Sequence, residues 1–529
     1  MEAKYSIVTF SENDPEDPKN WTPARKKFVV SILCALSFCA VFGSSSYAPG
    51  EVQIRRLYGV NADLSSLGLS LYVLGFAFGP LLSTIIDACI GPLSEMKGRT
   101  LPYMISWPLL AAAIAPSAWV ENFAVILVFR FLTGCCAACA LNKHFSGGGI
   151  IADMYGSTPA TLAKGVLLAS FCPLSGPCFG SLVGFFVAAH SGRGLWVVRM
   201  HWFFVLALWP LVLFLPETHG PTILKHRAKQ MRKGGKTNAF AAHELHTLTK
   251  RQILAGHIGR PTAMLWSEPI NQGAAIWISL AYSIIYFFFE AYPAVFITQN
   301  KIPFQLGGLP FLGITIGMVI TMLMYPASIK ISKKIQIPFI DPPTGTPPDS
   351  PEALLKVVLL ACVLMPVSLF WFAWTSKGTV HWIFPALAGI PFGYSMLCIF
   401  YSFSGYTART YTIYASSAQA CNTFTRSLIA AIFPVVAHSI IGNLGTDWGV
   451  SLFGFLSLGL IPIPIIFVRY GAVLRKRSRF AQEAEGIVRK MRAEVVNDNM
   501  DEKASESDAQ DSTSADETDK TSEPNKQTV

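Results

Sequence analysis

Charge is what this sequence has least of. Asp, Glu, Lys and Arg make up 14% of its 529 residues, against roughly 25% in an ordinary soluble domain, and that shortfall excludes a water-soluble globule. No Gly-rich Walker loop opens a helix, which argues against ATP hydrolysis as a power source. The histidines, such as His144, His190 and His201, lack the clustered spacing of metal-dependent membrane oxidases, and no nucleophile motif is present, so an enzyme is not expected and no catalytic residue is assigned. Cys135, Cys136 and Cys139 stand close together, but no second CxxC or spaced histidine pair completes a metal site. All eleven cysteines fall inside apolar stretches, where a thiol packs as a small apolar group, and no disulfide is expected. A cleavable leader is missing too: "NDPEDPKNWTPARKK" is polar, so the first apolar stretch reads as an uncleaved anchor.

What the chain has in abundance is hydrocarbon. Hydrophobic residues make up 52% of it and the mean hydropathy is +0.42. A bilayer core of about 30 Å takes roughly 20 apolar residues per helix. Twelve such segments can be marked: Phe28–Tyr47, Leu64–Ile90, Leu101–Val120, Phe123–Leu141, Gly165–Ala189, Leu195–Leu215, Ala274–Phe296, Gly307–Pro326, Ala353–Trp374, Trp382–Tyr401, Ser416–Ile441 and Val450–Val468. The fold class is therefore an all-α membrane protein of twelve transmembrane helices in two six-helix halves. The bilayer is its first partner, and the net charge of +10 reports topology rather than nucleic acid. With the N-terminus inside, Arg25, Lys97, Arg99, Lys164, the many bases of the Pro216 to Asn271 loop and Arg475 to Arg479 all fall on the cytoplasmic side. The opposite side receives Arg55, Arg56, Arg193, Arg199, Lys301 and Lys377. Both termini are expected in the cytoplasm.

The organisation that follows is an N-terminal cytoplasmic segment (1–27), a first half (28–215), a cytoplasmic linker (216–271), a second half (272–469) and a tail (470–529). The end of that tail is acidic and Ser/Thr-rich with almost no large apolar residues, so it should be unstructured. Spans two and eight each carry glycines four apart, Gly75 with Gly79 and Gly313 with Gly317, which allow close helix contact. Span five stacks Gly176, Gly180 and Gly184 on one face beside Pro177. That face serves either as a hinge or as plain packing, since Pro177 removes one backbone hydrogen bond.

Several motifs are specific. "GPLSEMKGRTL" sets an acid, two bases and two glycines between spans two and three; "RFLTG" lies in span four and "GPCFGS" in span five. With "DPEDPKNW", "LFLPETHGPTIL", "RPTAMLWSEPI", "HWIFPALAGIPFGYS" and "YASSAQACNTFTRS", they resemble the major facilitator superfamily, and within it the fungal twelve-span drug:proton antiporters and their polyamine-transporter-like subgroup. The resemblance covers nearly all of the chain except the tail. It implies that the span two to three turn is a cytoplasmic latch, with Gly91 and Gly98 shaping it, Glu95 facing the end of span eleven and Arg99 paired with Asp153. The sequence departs from the family pattern at "STIIDACI" (83–90), read either as genuine extra turns of span two or as a mistranslated stretch. Span one shows no buried acid of the kind that couples protons in some relatives.

Charges inside a membrane cost about 2.5 to 3.5 kcal/mol each at a helix centre on insertion scales, so each invites a role. Arg130 in span four is expected to act on protonation or substrate in a central cavity, or to be a static brace. Arg426 in span eleven, with Asn422, either faces that cavity or ties helices together. Glu290 ends a span-seven face that carries Tyr282 and Tyr286 at helical spacing. A carboxylate beside aromatic faces can hold an organic cation, or the residue can be a gate nearer the outer end. The resemblance implies a secondary transporter that exports small organic solutes (drugs, polyamines or secondary metabolites) in exchange for protons. It would work as a monomer in the fungal plasma membrane, without cofactor, metal or nucleic acid. A passive uniporter or a non-transporting sensor on the same fold is the alternative.

Overall fold

The computed structural model describes residues 6–490 and 493, except 12, 91–97, 146–148, 157–158, 236–237, 242–243, 245–255, 257–258, 333, 339 and 342–349. For 81, 83–90, 142–145 and 159–160 it describes the backbone alone. Gly91, Glu95 and the acidic tail therefore lie outside the described residues.

Lipid offers no partner for a backbone N–H or C=O, so apolar stretches of this length fold as helices that satisfy their own polar groups. Helix α1 (Pro23–Ser45) starts where Thr22 accepts a hydrogen bond from the Arg25 N–H at 3.4 Å and Pro23 occupies the first helical position. After a short 3-10 turn it continues into α2 (Glu51–Tyr58), which Gly59 ends in the left-handed region at φ 65°. The first half is completed by α3 (Ala62–Ile90), α4 (Thr100–Trp119), α5 (Phe123–Phe145), the short α6 (Gly149–Tyr155), α7 (Pro159–Ser191) and α8 (Trp196–Leu213). Between the halves stand α9 (Gly220–Lys233) and α10 (Arg260–Ser267). The second half holds α11 (Pro269–Tyr292), α12 (Phe311–Ser332), α13 (Leu355–Thr375), α14 (Ile383–Leu387), α15 (Gly389–Tyr411), α16 (Ala415–Ala430), α17 (Phe433–Leu460) and α18 (Pro462–Arg477). Gly445, at φ 75° and ψ 172°, breaks α17, so the eleventh pass runs from α16 into its first part and the twelfth from its second part into α18. By length and composition, ten continuous stretches among the described residues can cross a membrane, and the helix boundaries and the Gly445 break divide the last, Ile383–Arg477, into three passes. The count is the twelve expected.

The two halves use one packing device twice. In the first, Gly75 of α3 meets α5 so closely that a Cβ would stand 2.5 Å from the Phe131 carbonyl oxygen. In the second, a Cβ on Gly393 of α15 would collide with the Ile314 carbonyl of α12. The Gly176, Gly180 and Gly184 face of α7 is filled by the first pass, through the backbone of Phe38 and Phe42, Ser45 and Pro49, and Ser45 Oγ donates to the Pro177 carbonyl at 2.6 Å. The "STIIDACI" stretch continues α3 as helix to Ile90, which at 1.5 Å per residue makes it about 43 Å long. Its extra turns lengthen a helix rather than insert a loop.

One end of the bundle carries the linker and the described segments next to both termini. There β1 (Ser6–Ile7) pairs in parallel with β2 (Ala239–Phe240), Ser6 opposite Ala239. Asp14 receives two hydrogen bonds from Arg227 of α9 at 2.6 and 3.0 Å. Ser478 Oγ donates to the buried Glu268 carboxylate at 2.6 Å, and Tyr411 to the same oxygen at 3.0 Å. This is called the linker end below, and the other the far end.

Candidate functional site

The halves meet across a polar septum. Ser44, in the last turn of α1, and Tyr286 of α11 bring their hydroxyls to 3.0 Å, and the Tyr286 and Tyr282 hydroxyls are 3.4 Å apart. Tyr286 is fully buried. On the α1 side this septum is held by Arg130, whose Nε donates to the Gly68 carbonyl (2.8 Å) and whose terminal nitrogens donate to those of Gly43 (2.8 Å) and Ser44 (3.1 Å). The Tyr47 and Tyr72 rings lie 4.8 and 4.5 Å from the guanidinium carbon. Helix ends leave carbonyls without helical partners, and the close of α1 supplies two of the three. No carboxylate pairs with Arg130 among the described residues. His201 fills the space beside Gly43, with Nε2 3.1 Å from the Cys39 carbonyl.

Toward the linker end of the septum is a central cavity of about 60 Å³, room for about two water molecules at ~30 Å³ each. The first half lines it with Val41, Phe76 and Leu174, and the second with Tyr282, Phe400 and Arg426. Asn422 is buried one turn before Arg426, with neither side-chain amide atom hydrogen-bonded. Toward the far end is a larger cavity of about 490 Å³ bordered by Glu51, Arg55, Phe185, Phe304, Glu290 and His438. The single face expected from Tyr282, Tyr286 and Glu290 is thus divided. Tyr282 opens on the central cavity, Tyr286 is sealed in the septum, and Glu290 opens on the far one. An aromatic cage around one cation does not form, because three residues at helical spacing span about 12 Å along the axis and the septum interrupts them.

Glu290 has a partner that the sequence reading did not name. The first pass carries a buried acid after all: Glu51, 6% exposed, whose carboxyl faces that of Glu290 closely enough for a hydrogen bond when one of them holds a proton. The Oε1 atoms of both have no other hydrogen-bond partner. His438 Nε2 stands 3.6 Å from Glu290 Oε2. Glu51 was missed because it follows the apolar window, beyond "SSSYAPG"; the signal available was Ile54, three residues on and also buried, which carries the helical face past the window.

At the linker end Arg99 Nε is 3.0 Å from Asp153. Burial raises the Asp153 carboxyl above the ordinary aspartate value, with Arg99 pulling in the other direction. Glu217, from "LFLPETHGPTIL", was not singled out in the sequence, yet its carboxylate accepts from the Arg99 and Thr100 N–H groups (2.9 and 3.2 Å) and from those of Thr218 and His219 (2.9 and 2.8 Å). It thereby satisfies free donors at the start of α4. Gly98, at φ 80°, leaves the space that this carboxylate enters. Across the halves, Tyr401 donates to the Ala163 carbonyl at 3.0 Å toward the linker end, and the Phe185 and Phe304 rings are 5.3 Å apart toward the far end.

The sequence profile of the Major Facilitator Superfamily matches residues 33–434. Among curated proteins, the major facilitator superfamily multidrug transporter mdrA of Aspergillus fumigatus is 33% identical over 93% of this chain and 78% of its own length. The citrinin biosynthesis cluster MFS transporter mrr1 of Monascus ruber is 34% identical over 90% and 92%. The MFS-type efflux pump MFS2 of Trichophyton rubrum is 33% identical over 93% and 80%. The fold is similar to that of the proton:xylose symporter XylE, with a TM-score of 0.57 at 14% identity over 85% of this chain and 97% of that one. It is also similar to that of the human organic anion transporter MFSD10, with a TM-score of 0.53 at 15% identity over 84% and 100%. Two six-helix halves meeting at a polar septum, the superfamily profile and fungal relatives named as transporters and efflux pumps agree: the chain belongs to the major facilitator superfamily and is a membrane transporter, not an enzyme.

Proposed function

We propose that the chain exports small organic solutes from a fungal cell in exchange for protons, as a member of the twelve-span drug:proton antiporters. It works as a monomer in the plasma membrane with its termini in the cytoplasm, needs no cofactor, and moves solute by rocking residues 28–215 against 272–469 about the septum. The observation that carries the coupling is the Glu51–Glu290 pair. Two carboxylates facing each other in a buried site repel when both are charged, and a single shared proton removes the repulsion and supplies the missing donor. The pair also joins the halves, since Glu51 belongs to the first pass and Glu290 to the seventh. Gaining or losing that proton therefore changes how strongly the far end is held closed, which is what coupling requires. The latch of Gly98, Arg99 and Asp153, anchored by Glu217, would hold the linker end in turn. Efflux is the direction in the name of the Trichophyton rubrum relative, and the excess of Lys and Arg at the linker end supports a cytoplasmic position for it. Membership of the polyamine-transporter-like subgroup rests on motifs alone.

The test uses the purified full-length protein in sealed proteoliposomes with an imposed pH gradient and a panel of labelled solutes. Accumulation that follows the gradient and collapses with a protonophore is expected. Equilibration that ignores both gradient and protonophore would make the protein a passive uniporter.

A further inference from the structure

Two arginines stand inside this bundle, Arg130 fully buried and Arg426 partly so, and they are treated differently. Arg130 has each of its nitrogens on a backbone carbonyl. Arg426 has an Nε that is buried with no hydrogen-bond partner and makes no ion pair among the described residues. Its guanidinium carbon lies 5.0 Å from the Tyr282 ring centre and 4.9 Å from that of Phe400, so two aromatic rings are its documented neighbours. Ring faces attract a cation, but less strongly than the loss of water opposes it. A charged group in this position lacks a counterion, and its surroundings are a cavity.

The composition of that cavity says what would complete it. The wall from the first half is apolar, with Val41, Phe76 and Leu174, and offers no charge. The wall from the second half offers one guanidinium between two rings and the Thr423 hydroxyl, and the unpaired amide of Asn422 lies one turn before Arg426 on α16. The amide nitrogen of Gln419 is already committed to the Ser404 carbonyl and the Thr407 hydroxyl. One fixed positive charge, aromatic faces beside it and a hydrocarbon wall opposite fit a molecule with a flat apolar body and one planar anionic group. A carboxylate matches the guanidinium fork in a two-point hydrogen bond, which a lone ammonium donor cannot do.

We propose that the central cavity is a binding site for aromatic organic acids, with Arg426 receiving the carboxylate and Tyr282 and Phe400 stacking against the ring. This names the substrate class of the exporter proposed above and rests on that reading. It also reverses the charge preference expected from Glu290, which belongs to the other cavity. At about 60 Å³ the site is closed in the state seen here, so the acid enters when the halves part at the linker end and the Tyr401–Ala163 contact is released.

Binding separates this inference from the transport reading, because it needs neither a proton gradient nor turnover. The probe is labelled 2-naphthoate on full-length protein in nanodiscs, competed by 2-naphthalenesulfonate, 2-naphthalenemethanol and 2-naphthylmethylammonium. Both anions should compete at least tenfold better than the alcohol, and the ammonium should compete worst. R426Q should bring anion and alcohol within twofold of each other. R426K, which keeps the charge but loses the planar fork, should retain a preference reduced severalfold. Should R426Q fail to give a monodisperse protein, the wild-type order and R426K decide. Equal competition by anion and alcohol, preference for the ammonium, or an unchanged anion preference in R426K would each overturn the proposal. Gradient-driven flux of another solute would survive any of these results, and loss of gradient dependence would leave the binding result standing.

Discussion

Replacing Arg130 by Gln tests whether the septum is a working part or only scaffolding. The guanidinium makes three hydrogen bonds to carbonyls, at 2.8, 2.8 and 3.1 Å, each worth about 1.5–3 kcal/mol because the donor is charged. Glutamine has two N–H donors on a shorter stem, so it keeps at most two of these and strands at least one buried carbonyl. The loss lies between about 1.5 kcal/mol for one bond and about 9 for all three. Against this, the variant no longer buries a charge, a relief of several kcal/mol that cancels the loss of one bond, so a net loss, of about 2 kcal/mol or more, is expected only where two or three of the carbonyls are stranded. If the braced form of α1 is needed at the barrier between the two open states, even ~2 kcal/mol lowers the rate about 30-fold, at 1.36 kcal/mol per decade. The assay is gradient-driven flux in proteoliposomes at matched protein content, with size-exclusion profiles to show that the variant folds. R130K, a point charge with three donors, should fall between the two. Flux within twofold of the parent, with or without a lowered melting temperature, would refute a transport role and leave Arg130 a brace.

Glu51→Gln and Glu290→Gln should each leave downhill exchange of solute measurable but remove its dependence on the pH gradient; gradient-driven accumulation at parental level in either would remove the acid pair from coupling. Arg99→Gln should destabilise more than Asp153→Asn, by about 1 kcal/mol, because it strands a half-buried carboxylate, whereas the Asn variant removes a charge that burial already opposes. Melting curves of equal height would contradict this. Gly98→Ala should cost about 1–3 kcal/mol, since a Cβ must share space with the Glu217 carboxylate at φ 80°; a parental melting temperature would dismiss that close approach. The Arg227 hydrogen bonds hold the Asp14 carboxyl below its ordinary value, so this tie is present above the unfolded aspartate value of about 3.9 and is lost as pH falls through the lowered one. Proteolytic cleavage of the N-terminal segment should therefore stay slow from neutral pH down to about pH 4 and rise below it, and a rise near neutrality would show that another contact holds it.

The spans were legible because a bilayer leaves a helix as the way to satisfy a backbone, and a run of apolar residues records that requirement locally. The glycines of α3, α7 and α12 were legible for a related reason: close helix approach demands a missing side chain, and its period shows in one dimension. The contact of Arg99 with Asp153 came through the motif that carries it. Glu51 and Glu217 did not come through, since each draws its meaning from groups far along the chain, Glu290 in one case and the Arg99 and Thr100 amides in the other. The helical spacing of Tyr282, Tyr286 and Glu290 was read correctly as one face. That the face crosses a septum could be learned only from the position of Ser44 on another helix.

The pairing of β1 with β2 has a mechanical consequence. Through it, and through Asp14 and Arg227, the stretch from Gly220 to Phe240 is fastened to the segment that leads directly into α1. The first part of the connection between the halves therefore travels with the first half, as a rigid arm rather than as slack. Arg232 extends that arm by gripping Glu244 at 2.9 and 3.0 Å. When the angle between the halves changes, the connection as far as Glu244 therefore moves with the first half, and a deletion within α9 would cut into the arm and release its hold on the segment before α1.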